Sequence, residues 1–592
     1  PTAAEASSPA DRPNVIWICL DACRAQSLSC YGYERRTSPR MDRMAAEGVL
    51  FEQHYAQAFG TVLSVPSYLT GRYFPVYNMG QGGWQEMLRV PPPHEKMLPE
   101  ILRENGYHTL LLNAHAWIDP DCRLTAAFDE FISLPPDGPY AHASFGQLNQ
   151  ELFPWLSKNR HESFFVYVHT LDTHFPHALS PPYDLWLDPS YRGDKVKTEE
   201  GIPYTWKDGE YDADDREQLT ALYDGDIRYA DAQLGKLLDR LDQLDLLETT
   251  IVVINSDHGE VLAEDGANVG HGYPRGDELW QVPCIMMGPG LPAGRRVASL
   301  TANTDIVPTL VDVLDVDPGK AQFDGKSLAP LIREPDAPIL HQFVMAKRGN
   351  YDSIGAVLLR SPEFVYQYFL PNTSEALWPT PDPFGDPSPN VIREHPEAAA
   401  RAKAFLEREI LPRWEEYQAL PRKADRPFVV SIPKEGEPPE ACTPNPEPGA
   451  NSTDNKWWYS SGMVLCSSYS EDPPPISYTF ELPNAEYQVQ VELRSLADYY
   501  GHPASSIRIK AQDDSEYTLM TETGGTGFVF VDLGEYTVDD GRFRVTLAPG
   551  ERSYYAIARS FRFVPAESAT QVEQKQDAAA RREQLEALGY LE

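Results

Sequence analysis

No run of 18 apolar residues occurs in the chain, so no segment reads as a membrane-spanning helix. Positive charge is short too: 51 Lys and Arg stand against 88 Asp and Glu, a formal net charge of −37. Such a balance repels phosphate backbones and argues against nucleic acid or an anionic membrane as a bulk partner. An enzyme of this charge acting on anions needs a local positive site, most simply a bound metal. The seven cysteines form no C-x-x-C pair, which argues against a zinc ribbon. Cys19 and Cys284 lie in apolar strand-like runs and read as buried thiols. Cys442 and Cys466 fall in a loop-rich region, where a disulfide and two free thiols are both open. There is no internal repeat, and the polar Ala/Pro/Ser-rich opening to Asp11 has no leader-like apolar core.

What is present is enough material for two or three domains, since 592 residues exceed what one core organises. Asn14–Leu20 is an apolar, β-branched run that ends at Asp21, and similar runs cover 109–112, 164–169, 250–255 and 283–287. Runs of that kind are strands buried on both faces. Helical patterns at 38–47, 97–105 and 216–244 lie between them. The alternation predicts an α/β fold, a mixed, largely parallel sheet sandwiched by helices. In such sheets ligands collect beyond the carboxyl ends of the strands, where Asp21 and Asp257 sit. Residues 371–391 and 433–455 read as loop or coil and 394–418 as a long charged helix. From about 457 to 564, short alternating segments at 487–493, 506–511, 527–532 and 542–547 predict a C-terminal antiparallel β-sandwich. The expected division is a loose segment 1–11, a catalytic domain 12–425, a sandwich 426–565 and a polar C-terminal helix and tail 566–592.

Three clusters carry chemistry. They are Asp21, then Thr61-Val-Leu-Ser64-Val-Pro-Ser-Tyr-Leu-Thr70-Gly71, then Asn255-Ser-Asp257-His258-Gly-Glu260 with His271 following. Asp172-Thr-His174-Phe-Pro-His177 is a fourth. Carboxylates with a neutral imidazole and a hydroxyl suit a divalent cation such as Mn, Zn or Ca. Asp21, Asp257 and His258 would hold it beside Thr61, whose hydroxyl it would activate as a nucleophile. His174 or His271 could protonate a leaving group. Arg24, Ser64, His115, Asp172 and His177 are further candidates for substrate contact. Taken one at a time, an Asp after a strand is usually a turn former, a lone Thr is structural and His177 reads as solvent-facing.

The run Asn14–Asp21, then Cys30-Tyr-Gly-Tyr, Thr37-Ser-Pro-Arg-Met-Asp42, Asn255–Glu260 and Asp305-Ile-Val-Pro-Thr-Leu310 occur in an order that resembles the sulfatase branch of the alkaline-phosphatase superfamily over about residues 12–420. The resemblance implies an alkaline-phosphatase-like fold, a metal-dependent ester hydrolase and an anionic ester substrate, carbohydrate- or lipid-headgroup-linked. It also suggests export, with cytoplasmic residence left open, and leaves the oligomeric state undefined.

The departures shape the functional expectation. Formylglycine sulfatases carry Cys or Ser at the nucleophile position. Counting back from Thr70-Gly71 without gaps puts Thr61 there, with Val65 at the Arg position. A frame with Ser64 as nucleophile needs a three-residue deletion and places Tyr68 at the Arg position. Threonine cannot be oxidised to the aldehyde that those sulfatases hydrate. Ala114 stands where sulfatases carry a substrate-contacting Lys, and Ala22 where many carry a second Asp. The set resembles phosphodiesterases, phosphonate monoester hydrolases and phosphoglycerol-type transferases. The leading expectation is phosphoester cleavage through a covalent Thr61 intermediate with one metal, and a second metal at Asp172, His174 and His271 is open. The alternatives are a sulfuric ester hydrolase on a carbohydrate or aryl sulfate, and a non-catalytic glycan-binding protein. In the last, Trp457, Trp458 and Tyr459 would stack on sugar rather than pack the sandwich against the catalytic domain.

Overall fold

The computed structural model describes residues 12–419 except 75–94, 116–117, 119–122, 135–142, 176, 178–181, 194, 200–201, 205–209, 272–275, 351–352, 371–372 and 381–389, together with strand segments between 428 and 565. The expected loose start at 1–11 and the C-terminal helix at 566–592 lie outside the described residues. The described residues fall into two compact units, one up to Ala419 and one beyond it.

The first unit is built on an eight-stranded sheet. Its strands are β1 (Asn14–Leu20), β2 (Val49–Tyr55), β3 (His108–Asn113), β4 (Glu130–Ser133), β5 (Phe164–Thr170), β6 (Thr250–Asn255), β7 (Cys284–Met287) and β8 (Arg295–Ala302). The spatial order is β8-β2-β7-β6-β1-β5-β3-β4. Strands β6, β1, β5, β3 and β4 run parallel, and only β7 is antiparallel to both its neighbours. Every residue of β1, β5 and β6 is buried, as unbroken apolar runs demand. On one face Ile16, Ile18, Val166, Val168, Val252 and Ile254 join the core under α1 (Pro39–Glu47), α4 (Phe145–Asn159) and α5 (Ala213–Gln243). On the other, Trp17 packs 5.3 Å from Tyr68 of α2 (Thr61–Thr70) and 5.9 Å from Tyr167. Among the described residues both faces are therefore covered, which leaves the carboxyl end of the strands as the place to look for chemistry.

The helix starts follow capping chemistry. Helix α5 begins at Ala213, three residues before the expected start, because Asp212 Oδ1 accepts from the Asp215 amide at 2.8 Å. The expected single helix over 394–418 is interrupted. Pro396–Phe405 and Leu411–Ala419 are α-helical, with a wide π turn at Leu406–Ile410 between them. Pro412, lacking an amide proton and clashing with the preceding turn, explains the widening. The loop expected at 371–391 contains a strand, Glu375–Pro379, paired with Phe364–Phe369, because Leu377 has a buried core to enter.

In the second unit two antiparallel sheets, of six and five strands, bear out the expected C-terminal β-architecture, with Ala485–Ser495, Ser506–Ala511, Val529–Val538 and Arg542–Pro549 among their strands. The expected coil at 433–455 includes a short strand, Cys442–Asn445, in the five-stranded sheet, whereas Cys466 belongs to Met463–Ser467 in the six-stranded one. The side chains of both cysteines, and of Trp457, Trp458 and Tyr459, lie outside the described residues. Among the described residues no helix is long and apolar enough to cross a membrane.

Candidate active site

Four adjacent parallel strands, β6, β1, β5 and β3, deliver the polar groups. Cys19 of β1 is in register with His169 of β5 and with Asn255 of β6, so the residues just beyond these positions emerge side by side. Asp21 follows β1, Asp257 and His258 follow β6, and His115 follows β3. The chain turns sharply at Ala22, whose φ of 59° is left-handed for a residue with a side chain. Strain of this kind is costly and concentrates at functional sites. It is held by hydrogen bonds from the Ala22 amide to Asp257 Oδ1 (3.3 Å), from the Cys23 amide to Ser256 Oγ (2.9 Å) and from Tyr223 to the Ala22 carbonyl (2.7 Å). Gly259 is required for a different reason, since a β-carbon there would lie 1.8 Å from the Glu278 carbonyl oxygen.

Donor atoms of Asp21, Asp257 and His258 lie within 4.8 Å of one another, and all three residues are buried. Thr61, at the first position of α2, donates to Asp21 Oδ2 (3.2 Å) and lies 3.3 Å from His258 Nε2. The N-terminus of a helix favours negative charge at this point. Asp21 Oδ1 and Asp257 Oδ2 are buried and make no hydrogen bond among the described residues. Each is 3.5 Å from His258 Nε2. Burial, and then the neighbouring Asp257 carboxylate, push the Asp21 carboxyl well above its ordinary range. Two close buried carboxylates with unused oxygens, an imidazole and a hydroxyl fit a divalent cation, which would relieve both the desolvation and the repulsion.

Behind this group a second set surrounds the other side of Asp21. His169 Nε2 is 2.8 Å from Asp21 Oδ2, His169 Nδ1 is 2.9 Å from Tyr167 Oη, and Tyr167 in turn hydrogen-bonds Tyr68 of α2. His115 Nε2 is 3.7 Å from Asp21 Oδ2. In front, the His271 ring lies 4.3 Å from that of His258 and 4.8 Å from that of His174. Burial lowers His174 well below the usual histidine range, with the neighbouring His271 adding to it, and lowers His271 to about 4. Both shifts favour the neutral imidazole.

Thr61, Asp21, Asp257, His258, His174, His271 and His115 are thus gathered at one place. The structure does not bring Asp172 to His174 and His271 as a second metal site would require. Its carboxylate accepts from the Phe145 amide (2.9 Å) and the Thr170 hydroxyl, capping α4. Arg24 is tied to Glu264 by an ion pair and to Ser27 at 2.8 Å, with its guanidinium over Tyr223. Ser64 sits inside α2 and donates to the Asp257 carbonyl at 2.6 Å. His177, read as solvent-facing, is buried, with Nδ1 3.1 Å from Asp226. His169 and Glu260 carried no role in the sequence reading. His169 had a usable signal, a polar residue closing an apolar strand directly beside the one that ends at Asp21.

A family model described as Sulfatase matches residues 13–316, just over half of the chain. Among curated proteins, human iduronate 2-sulfatase is 25% identical over 393 residues, covering 55% of this chain and 69% of that protein. An ulvan-active sulfatase of Formosa agariphila is 25% identical over 387 residues, covering 60% and 72%. Among solved structures, a phosphonate monoester hydrolase of Agrobacterium radiobacter superposes with a TM-score of 0.53 at 22% identity, over 69% of this chain and 96% of that one. A phosphonate monoester hydrolase from Silicibacter pomeroyi gives 0.56 at 18%, over 69% and 97%. At such identities the structural likeness speaks for the fold. The names of the curated relatives favour the sulfuric-ester alternative over the phosphoester expectation.

Proposed function

The chain belongs to the sulfatase family and is a hydrolase of that family, and from this premise we propose that it is a metal-dependent phosphoester hydrolase in which Thr61 is the nucleophile. One observation carries the reading: Thr61, which the ungapped frame puts at the nucleophile position, is hydrogen-bonded to Asp21 and lies 3.3 Å from His258. A sulfated threonine has no neighbouring hydroxyl to expel sulfate, whereas a phosphothreonine is open to in-line attack by water. Asp21, Asp257, His258 and Thr61 would hold the cation. When bound, it would supply charge to offset the anionic ester and lower the pKa of the threonine hydroxyl.

The rest is done by the chain. Asp21 Oδ2 orients the Thr61 hydroxyl. Thr61 Oγ1 forms a bond to phosphorus as the bond to the leaving oxygen breaks. A histidine, His271 or His174, takes the proton that Thr61 loses and gives it to that oxygen. Water then cleaves the phosphothreonine, and the hydroxyl is restored. Neutral imidazoles rise in pKa as the anion approaches, which suits them to this exchange. Asp172 is engaged elsewhere, so this reading uses one cation at Asp21, Asp257 and His258, although Asp21, His115 and His169 also bring donor atoms within 4.8 Å of one another.

The second reading is sulfate-ester hydrolysis, supported by the sulfatase names of the curated relatives. The test is turnover of nitrophenyl phosphate, phosphodiester, phosphonate monoester and sulfate, with chelator and with Mn²⁺, Zn²⁺ or Ca²⁺ restored. Chelator-sensitive cleavage of phosphorus esters supports the proposal; preference for sulfate overturns it.

A further inference from the structure

Glu260 is a buried carboxylate at the active site with no part in holding a cation in the donor group described above. Burying a carboxylate is expensive, and an apolar side chain would fill the same space without that cost. Its two oxygens have definite uses. Oε1 lies 3.3 Å from His271 Nδ1, and Oε2 accepts from the Phe175 amide at 3.2 Å, one residue after His174. A single side chain therefore holds the ring of one candidate acid and the backbone that carries the other. Its own backbone is fixed on both sides. Gly259 fits against the Glu278 carbonyl where no side chain could, and Arg24, anchored by Glu264, reaches the Glu260 carbonyl at 3.4 Å.

We propose that Glu260 is a positioning residue that acts through His271, fixing its ring and its tautomer so that Nε2 is the nitrogen that serves the leaving oxygen. The inference rests on the reading of His271 as the proton donor. A contact between Nδ1 and a carboxylate admits one tautomer, as a carboxylate does for a histidine in hydrolytic triads. With its proton on Nδ1, the ring takes at Nε2 the proton that Thr61 releases on bonding to the central atom, and gives it to the leaving oxygen as that oxygen's bond breaks. It then takes a proton from the water that cleaves the covalent intermediate and returns it to Thr61 Oγ1, so the balance is ester plus water to acid plus alcohol. Through the Phe175 amide the same carboxylate keeps His174 beside His271 while this happens.

The test uses the full chain loaded with cation, as wild type, E260A, E260Q, H271A and E260A/H271A. Each is assayed on esters whose leaving groups run from nitrophenol to phenol to a simple alcohol. The series is made on phosphorus or on sulfur, whichever the wild type turns over. Failure of the phosphoester reading then appears as the choice of series, and failure of the present inference as the shape of the response. The expected result for E260A is a fall in kcat of about 100-fold on the phenyl and alkyl esters, which need a proton. The fall on the nitrophenyl ester, which does not, is under about fivefold, with KM within about threefold. E260Q, whose amide oxygen can still accept, recovers most of the loss, and the double variant is no slower than H271A. Equal losses across all leaving groups, or additive effects in the double variant, overturn the proposal. A measurement free of turnover runs beside these, the ¹⁵N imidazole spectrum of His271. It should report one tautomer in wild type and E260Q and a mixture in E260A; an unchanged spectrum in E260A also overturns it.

Discussion

Thr61 and Ser64 stand one helical turn apart on α2, and the two frames of the nucleophile motif differ only in which of them reacts. Their surroundings make the outcome computable. Thr61→Ala deletes the hydroxyl that meets Asp21 at 3.2 Å and leaves nothing to form a covalent intermediate. Loss of a nucleophile in a concerted site costs about 10⁴-fold or more in kcat/KM, or about 5 kcal/mol of barrier at ~1.4 kcal/mol per decade. Thr61→Ser keeps the oxygen and should stay within about tenfold of wild type, since it loses only a methyl that limits the rotamer. Ser64→Ala removes a 2.6 Å hydrogen bond to the Asp257 carbonyl. That is worth about 1 kcal/mol, partly offset by the better helix propensity of Ala, so activity should fall by less than about fivefold. The assay is steady-state turnover of a nitrophenyl phosphodiester at saturating cation, with metal content measured on each variant. Asp21, Asp257 and His258 remain in all three, so each should still take up the cation at saturation, with a lower affinity in Thr61→Ala, which lacks the fourth ligand. A dead Ser64→Ala beside an active Thr61→Ala would refute the Thr61 frame and with it the argument against formylglycine-like chemistry.

Three further outcomes follow from the geometry. His169→Ala, which removes the 2.8 Å contact to Asp21 Oδ2, should weaken divalent cation affinity by about 10–100-fold in calorimetric titration, and unchanged affinity would contradict an orienting role. Gly259→Ala, with a β-carbon 1.8 Å from a carbonyl oxygen, should cost about 2–4 kcal/mol or prevent folding, read as a fall in Tm; a Tm within a degree of wild type would sink the close-approach argument. Asp231 receives the Arg40 and Met41 amides at the start of α1, and burial raises its pKa to about 6 from 3.8. The folded chain then binds the extra proton between these values, so this group's contribution is full below pH ~3.8 and is lost as pH rises through ~6, an effect of at most about 3 kcal/mol. Asp231→Asn should flatten that part of the stability–pH curve in urea titrations, and an unchanged slope would count against it.

Much of the frame was legible because unbroken apolar runs of β-branched residues allow little except buried parallel strands. Asp21 and Asp257 could be read as site residues because each stops such a run. Other parts depend on contacts between distant residues. Arg24 looked available for substrate, yet its charge is answered by Glu264, 240 positions away. Asp172 looked like a ligand because it neighbours His174 in sequence, but the turn there points its carboxylate at the Phe145 amide. His169 closed the expected run at 164–169 but drew no role, since the register with Cys19 is what places it beside Asp21. The interruption near Pro412 and the strand at 375–379 fell below what periodicity resolves.

The three central strands of the site also fix an order of events during folding. Asp21 and Asp257 are separated by more than 200 residues, and they become neighbours only when β6 has paired with β1. Pairings between such remote segments form late, because a large loop must be closed before any contact rewards it. A cation that needs both carboxylates therefore has nothing to bind in the early collapsed chain and cannot act as a template for it. It locks a sheet that is already complete, so its presence should slow unfolding while leaving the rate of refolding almost untouched.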